Sequence, residues 1–151
     1  MEIIDILVVD DDEEVIATLS TILEDEGYFV KSAKNCRQAI EISKKPFSDI
    51  ALIDIELPDM KGTELISKLR EIQPKIACIM ITGHPSIENA VKAVNEQADG
   101  YILKPFDVPK LLETVKIILK RKKDSYFQMF QEVERASKNT PIFKYQHPDK
   151  W

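Results

Sequence analysis

Five short apolar runs, separated by stretches with helical spacing, constrain this chain's fold more than any other feature. The runs cover residues 3–9, 28–32, 50–53, 76–81 and 100–103. Between and after them lie five stripes: Val15, Leu19, Ile22 and Leu23; Ala39, Ile40 and Ile42; Leu65, Ile66, Leu69 and Ile72; Ile87, Ala90, Val91 and Val94; and Leu111, Leu112, Val115, Ile118 and Leu119. Alternation of period-2 and period-3.6 segments at this pitch predicts parallel βαβ units. The runs at 50–53 and 76–81 are apolar at nearly every position, as strands covered on both faces must be. Punctuation agrees: Gly27 follows the first stripe, Pro46 and Pro74 stop the second and third, and Ser86 and Asp107 are placed to cap the fourth and fifth. The spacing predicts an α/β fold, (βα)5 and doubly wound on a five-stranded parallel sheet, over residues 1–120.

A chain of 151 residues with 44% hydrophobic and 31% charged residues has enough apolar side chain for a core, which excludes disordered and fibrous classes. The longest apolar run, residues 76–81, has six residues, far short of the roughly 20 a spanning helix needs. The start, Met1-Glu2, has no basic n-region of a secretory signal. Two cysteines, Cys36 and Cys78, with no CxxC, argue against a disulfide scaffold or zinc site and read as small core hydrophobes. A cytoplasmic location and no membrane insertion are expected. Residues 1–120 carry 14 Lys and Arg against 22 Asp and Glu, while residues 121–151 carry 7 against 4. The domain's field would repel a polyanion, so no nucleic-acid partner is expected.

Chemistry gathers at the carboxyl ends of the predicted strands. Asp10, Asp11 and Asp12 follow the first run, Asp54 the third, Thr82 the fourth and Lys104 the fifth. Open α/β sheets build their sites on that rim. Two or three carboxylates there repel and raise one another's pKa. A hard divalent cation with oxygen ligands removes that cost. Lys104 supplies a point charge for a phosphoryl oxygen, Thr82 a hydroxyl donor. A carboxylate can itself be a nucleophile. The rim reads as a site for phosphoryl transfer to aspartate.

The sequence strongly resembles the receiver domain of two-component response regulators. Four blocks carry the resemblance, in family order and spacing: Leu7-Val8-Val9-Asp10-Asp11, Ile53-Asp54-Ile55-Glu56-Leu57-Pro58-Asp59-Met60-Lys61-Gly62, Met80-Ile81-Thr82-Gly83 and Tyr101-Ile102-Leu103-Lys104-Pro105-Phe106. The resemblance implies a flavodoxin-like strand order of 2-1-3-4-5. It implies that Asp54 is the phosphoacceptor, taking a phosphoryl group from a phosphohistidine on a sensor histidine kinase or phosphotransfer protein. It implies Mg²⁺, or Mn²⁺, held by Asp11 directly, Asp10 through water, Asp54 and the Glu56 backbone carbonyl. Thr82 resembles the switch hydroxyl, Gly83 the small residue that keeps the site open, Lys104 the phosphate-binding lysine and Tyr101 the switch aromatic. The Lys104–Pro105 bond matches one that is cis in the family. Asp12 caps the first helix. Glu56 and His84 flank the path of the hydrolytic water and would tune the phosphoryl group's lifetime. The switched surface would be the fourth helix, fifth strand and fifth helix, with Lys92, Asn95, Tyr101, Val108 and Leu112 as contacts.

Rival readings are weaker. A phosphatase of the haloacid dehalogenase class wants a second Asp two residues after its nucleophile, where this chain has Glu56, and then a Thr. A flavin binder of the same fold wants a Ser/Thr/Gly-rich phosphate loop where Asp10-Asp11-Asp12 stand. A receiver that no longer takes phosphate and acts by fixed contacts would not need Asp11, Asp54, Thr82 and Lys104 intact.

Beyond residue 120 the stripe continues. Leu112, Val115, Leu119, Lys122, Tyr126, Met129, Val133 and Ala136 recur at alternating spacings of three and four, a heptad seam with one polar break at Lys122. With no Gly or Pro in residues 110–138, the fifth helix is expected to extend, with 121–138 as a helical linker that joins the receiver to a downstream output domain. Homodimers are expected through this helix or the switched surface. Residues 139–151 resemble the opening of a PAS sensor domain, with Ile142-Phe143-Lys144-Tyr145 as a strand start, so the chain is expected to be part of a longer protein.

Overall fold

A computed structural model describes residues 3–44, 48–83 and 98–139. Pro46, His84, Lys92, Asn95, the fourth helical stripe with Ser86, and the run at 142–145 lie outside the described residues. Within them, strands β1 (Asp5–Val9), β2 (Phe29–Ala33), β3 (Ile50–Asp54), β4 (Ala77–Thr82) and β5 (Gly100–Leu103) alternate with helices. These are α1 (Glu13–Asp25), α2 (Cys36–Ser43), α3 (Gly62–Ile72) and α4 (Val108–Asn139). The sheet is parallel, in order β2-β1-β3-β4-β5. Ile6 pairs with Val30 on one side and Ile50 on the other; Ile50 pairs in turn with Ala77, and Leu52 with Ile79.

Period-2 alternation sends successive strand residues to opposite layers. Leu7, Val9, Ala51, Ile53, Cys78 and Met80 pack with α2 and α3 through Ala39, Leu65 and Leu69. Ile6, Val8, Ile50, Leu52, Ile79 and Ile81 pack with α1 and α4 through Leu19, Leu23, Leu111 and Val115. Every residue of β4 is buried, which is why that run carries no polar residue before Thr82. Both cysteines are free and buried. Burial and the nearby Asp59 charge push the Cys36 thiol up to about 12, so it behaves as a small core side chain and not as a nucleophile.

The helix ends follow local chemistry. Asp12 accepts the Glu14 N–H at 2.9 Å and caps α1. Gly27, at φ +91°, takes the left-handed position after α1 that a side chain would strain. The Asp107 carboxylate faces the Lys110 N–H at 3.4 Å, and its carbonyl accepts from Leu111 at 2.9 Å, opening α4.

The chain divides into two units, Met1–Leu119 and Lys120–Trp151. In the first, Leu111, Val115 and Ile118 of α4 are buried. In the second, Tyr126, Phe127, Met129, Phe130 and Val133 are exposed. No helix among the described residues is long and apolar enough to cross a membrane.

Candidate functional site

The carboxyl ends of β1, β3, β4 and β5 deliver Asp10, Asp54, Thr82 and Lys104 to one rim. Parallel pairing in register makes this unavoidable, because Asp54 stands opposite Ile81 and Thr82 opposite Leu103. Carboxylate oxygens of Asp10, Asp11 and Asp54 all lie within 4.8 Å of one another. Asp11, Asp54, Glu56, Thr82, Gly83 and Lys104 line an open hollow of about 220 Å³.

Each acid has a different environment. Asp10 is fully buried, with Oδ1 accepting the Asp12 N–H at 2.9 Å and Oδ2 taking Lys104 Nζ at 3.0 Å. Both its oxygens are thus engaged by the protein. Asp11 is exposed and free to face a ligand in the hollow. Asp54 is largely shielded; its Oδ1 accepts the Glu56 N–H at 3.3 Å, and its Oδ2 lies 3.7 Å from Lys104 Nζ. Burial first, and then the Asp10 charge, push the Asp54 carboxyl up to about 6, against the pull of Lys104. Burial works against the charge on Lys104, but its bond to Asp10 and the charges of Asp54 and Asp10 outweigh it and hold the ammonium above its ordinary range.

The remaining residues frame this centre. Thr82 is buried, and its carbonyl accepts the Lys104 N–H at 2.8 Å. A Cβ at Gly83 would meet the Lys104 stem at 3.6 Å, an ordinary contact distance, so the position lies directly beside the lysine. The Lys104–Pro105 peptide bond is cis. Tyr101 is half-buried in β5 beside Met80 and borders a groove with Pro105, Lys110 and Thr114. Glu56 is exposed, and its backbone forms an antiparallel β-bridge with that of Lys61 across the loop after β3.

Three close carboxylates, one raised in pKa, fit a hard divalent cation. Oxygen donors converge on an open hollow, and their repulsion is only partly met by one lysine. Other strand-end acids show the contrast. Asp5 takes Lys31 at 3.4 Å and the Ser48 hydroxyl at 3.1 Å, while Asp49 accepts the Asp5 N–H. These are satisfied, and they brace the opposite end of the sheet.

Asp59 in the loop after β3 and Gly62 at the start of α3 carry structural work that the motif alone does not reveal. Asp59 accepts the Cys36 N–H at 2.9 Å and the Arg37 N–H at 3.0 Å, capping α2 from a distant loop. At Gly62 a Cβ would stand 2.4 Å from the Asp54 backbone oxygen and 2.9 Å from Met80 Cε. Only glycine lets α3 begin against the backbone of Asp54.

A doubly wound sheet with this acidic rim is the architecture of receiver domains. The chain belongs to the response regulator receiver domain family, whose model matches residues 6–116. A putative NtrX-like response regulator of Rickettsia bellii is 39% identical over 123 residues, covering 80% of this chain and 25% of that protein. The transcriptional regulatory protein ZraR of Klebsiella oxytoca is 36% identical over 114 residues, covering 76% and 26%. This chain therefore spans about a quarter of these relatives' length. Among solved structures, a CheY-like receiver domain from Methanospirillum hungatei superposes with a TM-score of 0.75 at 40% identity, covering 82% of this chain and 99% of that one. NtrX from Brucella abortus gives 0.75 at 28% identity, covering 96% and 32%. The domain formed by this stretch is a signalling receiver.

Proposed function

We propose that this receiver accepts a phosphoryl group on Asp54 from a phosphohistidine of a histidine kinase or phosphotransfer protein. The convergence of Asp10, Asp11 and Asp54 within 4.8 Å, with Lys104 beside Asp54, carries the reading. An Asp54 oxygen attacks phosphorus, the P–N bond breaks, and the imidazole departs with its electron pair, leaving an acyl phosphate. Asp11, Asp54 and the Glu56 carbonyl would hold Mg²⁺ or Mn²⁺. Asp10, already engaged by Lys104 and the Asp12 N–H, would act through water. Once bound, that ion would neutralise the carboxylates and draw charge from the phosphoryl oxygens. Lys104 is placed to trade its contact with Asp54 for a phosphoryl oxygen. Thr82 offers a hydroxyl on the same rim, and Gly83 leaves room for the group. Tyr101 would register the change on the surface of β5 and α4, shifting a two-state equilibrium there.

The relative named as a transcriptional regulatory protein, ZraR, supports an output carried elsewhere in a longer protein; on this reading residues 121–138 serve as a linker and 139–151 as the start of a PAS-like domain. The exposed apolar face of residues 126–133 supports pairing with a second copy.

Intact-mass spectrometry of wild type and Asp54→Asn, incubated with Mg²⁺ and a small acyl-phosphate donor, tests the site. Wild type is expected to gain one phosphoryl mass, and neither the variant nor an EDTA-treated sample gains it. A gain that persists in Asp54→Asn would move the acceptor elsewhere. Absence of both labelling and Mg²⁺ binding would leave a receiver acting by fixed contacts. Turnover of a generic phosphomonoester far beyond one equivalent would point to a phosphatase.

A further inference from the structure

The loop after β3 is held at two points. At its base, the Gly62 N–H donates to the Ile55 carbonyl at 2.9 Å, and the backbones of Glu56 and Lys61 form an antiparallel β-bridge. At its tip, Asp59 reaches across to α2, 22 to 23 positions earlier in the chain. The first two N–H groups of α2, Cys36 and Arg37, both end on the Asp59 carboxylate. Gln38 ends on the Asn35 side chain, and Ala39 on the Asn35 carbonyl. Two of the four N–H groups that a helix start leaves without partners are therefore satisfied by a residue of the acidic site's own loop. The Cys36 thiol adds a contact to the Met60 carbonyl at 3.8 Å. Bonds from Cys36 and Arg37 to the Asp59 carboxylate keep it below the usual carboxylate range despite its exposure, as a fixed anion at a helix N-terminus should be.

We infer that Asp59 is a positioning residue for the cation site: by clamping the loop tip to the start of α2, it presets the Glu56 backbone carbonyl. The inference rests on the metal-site reading above. Asp59 itself points away from the hollow, whose lining does not include it. Its effect passes through the backbone of residues 55–61. Without the clamp the loop would sample other conformations, and the site would have to order it on binding. Outer-shell partners of metal ligands change affinity by about 10–100-fold. One that acts through the backbone belongs at the lower end, near tenfold.

Mg²⁺ titrations followed by amide chemical shifts, on wild type, Asp59→Ala, Asp59→Asn and Asn35→Ala, decide it. Asn35→Ala removes only the local cap of α2 and leaves the loop clamp. It is expected to lower Tm while keeping the wild-type Mg²⁺ Kd. Asp59→Ala is expected to raise Kd about tenfold, and Asp59→Asn, with one acceptor oxygen left, by less. Saturating Mg²⁺ should restore the acyl-phosphate labelling rate of both Asp59 variants. An unchanged Kd in the two Asp59 variants, or an equal rise in Asn35→Ala, overturns the inference. Wild type showing no Mg²⁺-dependent shifts near Asp11, Asp54 and Glu56 would instead overturn the metal-site reading.

Discussion

At the residue scale the site is an unbalanced set of charges, three carboxylates against one lysine. Asp54 titrates near 6 in the folded chain, above its value in the unfolded one. Between the ordinary carboxylate value of 3.8 and about 6 the unfolded chain binds fewer protons, so Asp54 makes stability fall as pH rises through that window. Asp54→Asn should therefore stabilise the metal-free protein at pH 7, by on the order of 2 kcal/mol after discounting for solvent screening of the part-exposed carboxylate, and flatten its stability between pH 4 and 6. Thermal melts in EDTA would show it. Lys104→Ala should do the reverse. It strands the fully buried Asp10 carboxylate and costs up to about 3 kcal/mol, and Mg²⁺ should narrow the gap to wild type. The acids and the lysine were legible in the sequence because each follows directly on an apolar run, and that adjacency places it on the rim. Asp59 was not legible as a clamp. Its partners are the backbone N–H groups of Cys36 and Arg37, which no side-chain pattern marks.

At the element scale two opposing effects meet at Gly62. An alanine in a helix usually gains about 1 kcal/mol over glycine. Here its Cβ would press to 2.4 Å on the Asp54 carbonyl, and overpacking costs about 1–3 kcal/mol. The clash wins because the atom it meets is backbone, which cannot swing aside as a side chain can. Gly62→Ala should lower Tm and slow labelling of Asp54, while Gly83→Ala, whose nearest contact is 3.6 Å, should lower neither by a comparable amount. Strand existence and type were readable from the runs; their edges were less so. Ile3 is apolar yet 77% exposed and lies outside β1. Phe29 is 54% exposed on β2, which forms one edge of the sheet. An edge strand has one neighbour and looser cover, so apolarity there is a weaker guide. The order of the strands was a family inference, since alternation alone does not choose among doubly wound topologies.

For the whole molecule, the stripe on α4 changes surroundings along its length. Leu111, Val115 and Ile118 are buried in the first unit, whereas Phe127, Met129, Phe130 and Val133 are exposed in the second. A helical segment with such a face gains most of its stability from packing and not from propensity. Residues 1–151 should sediment with a mass that rises with concentration, and residues 1–122 as a monomer. Equal masses for the two, with no added helix by circular dichroism, would remove the pairing proposal. The heptad spacing made the long helix legible; what covers it is not written in spacing.

The register of β1 also sets a timetable for synthesis. Its strand is central, flanked by β2 and by β3, with Ile6 matched to both Val30 and Ile50. A ribosome adding about 5–20 residues per second leaves Ile6–Val9 waiting on the order of 2–9 s for the second neighbour. During that interval an almost wholly apolar strand presents an open edge to its surroundings. A nascent chain paused between β2 and β3 keeps that edge unpaired, the kind of exposure that makes a partly folded chain prone to aggregate.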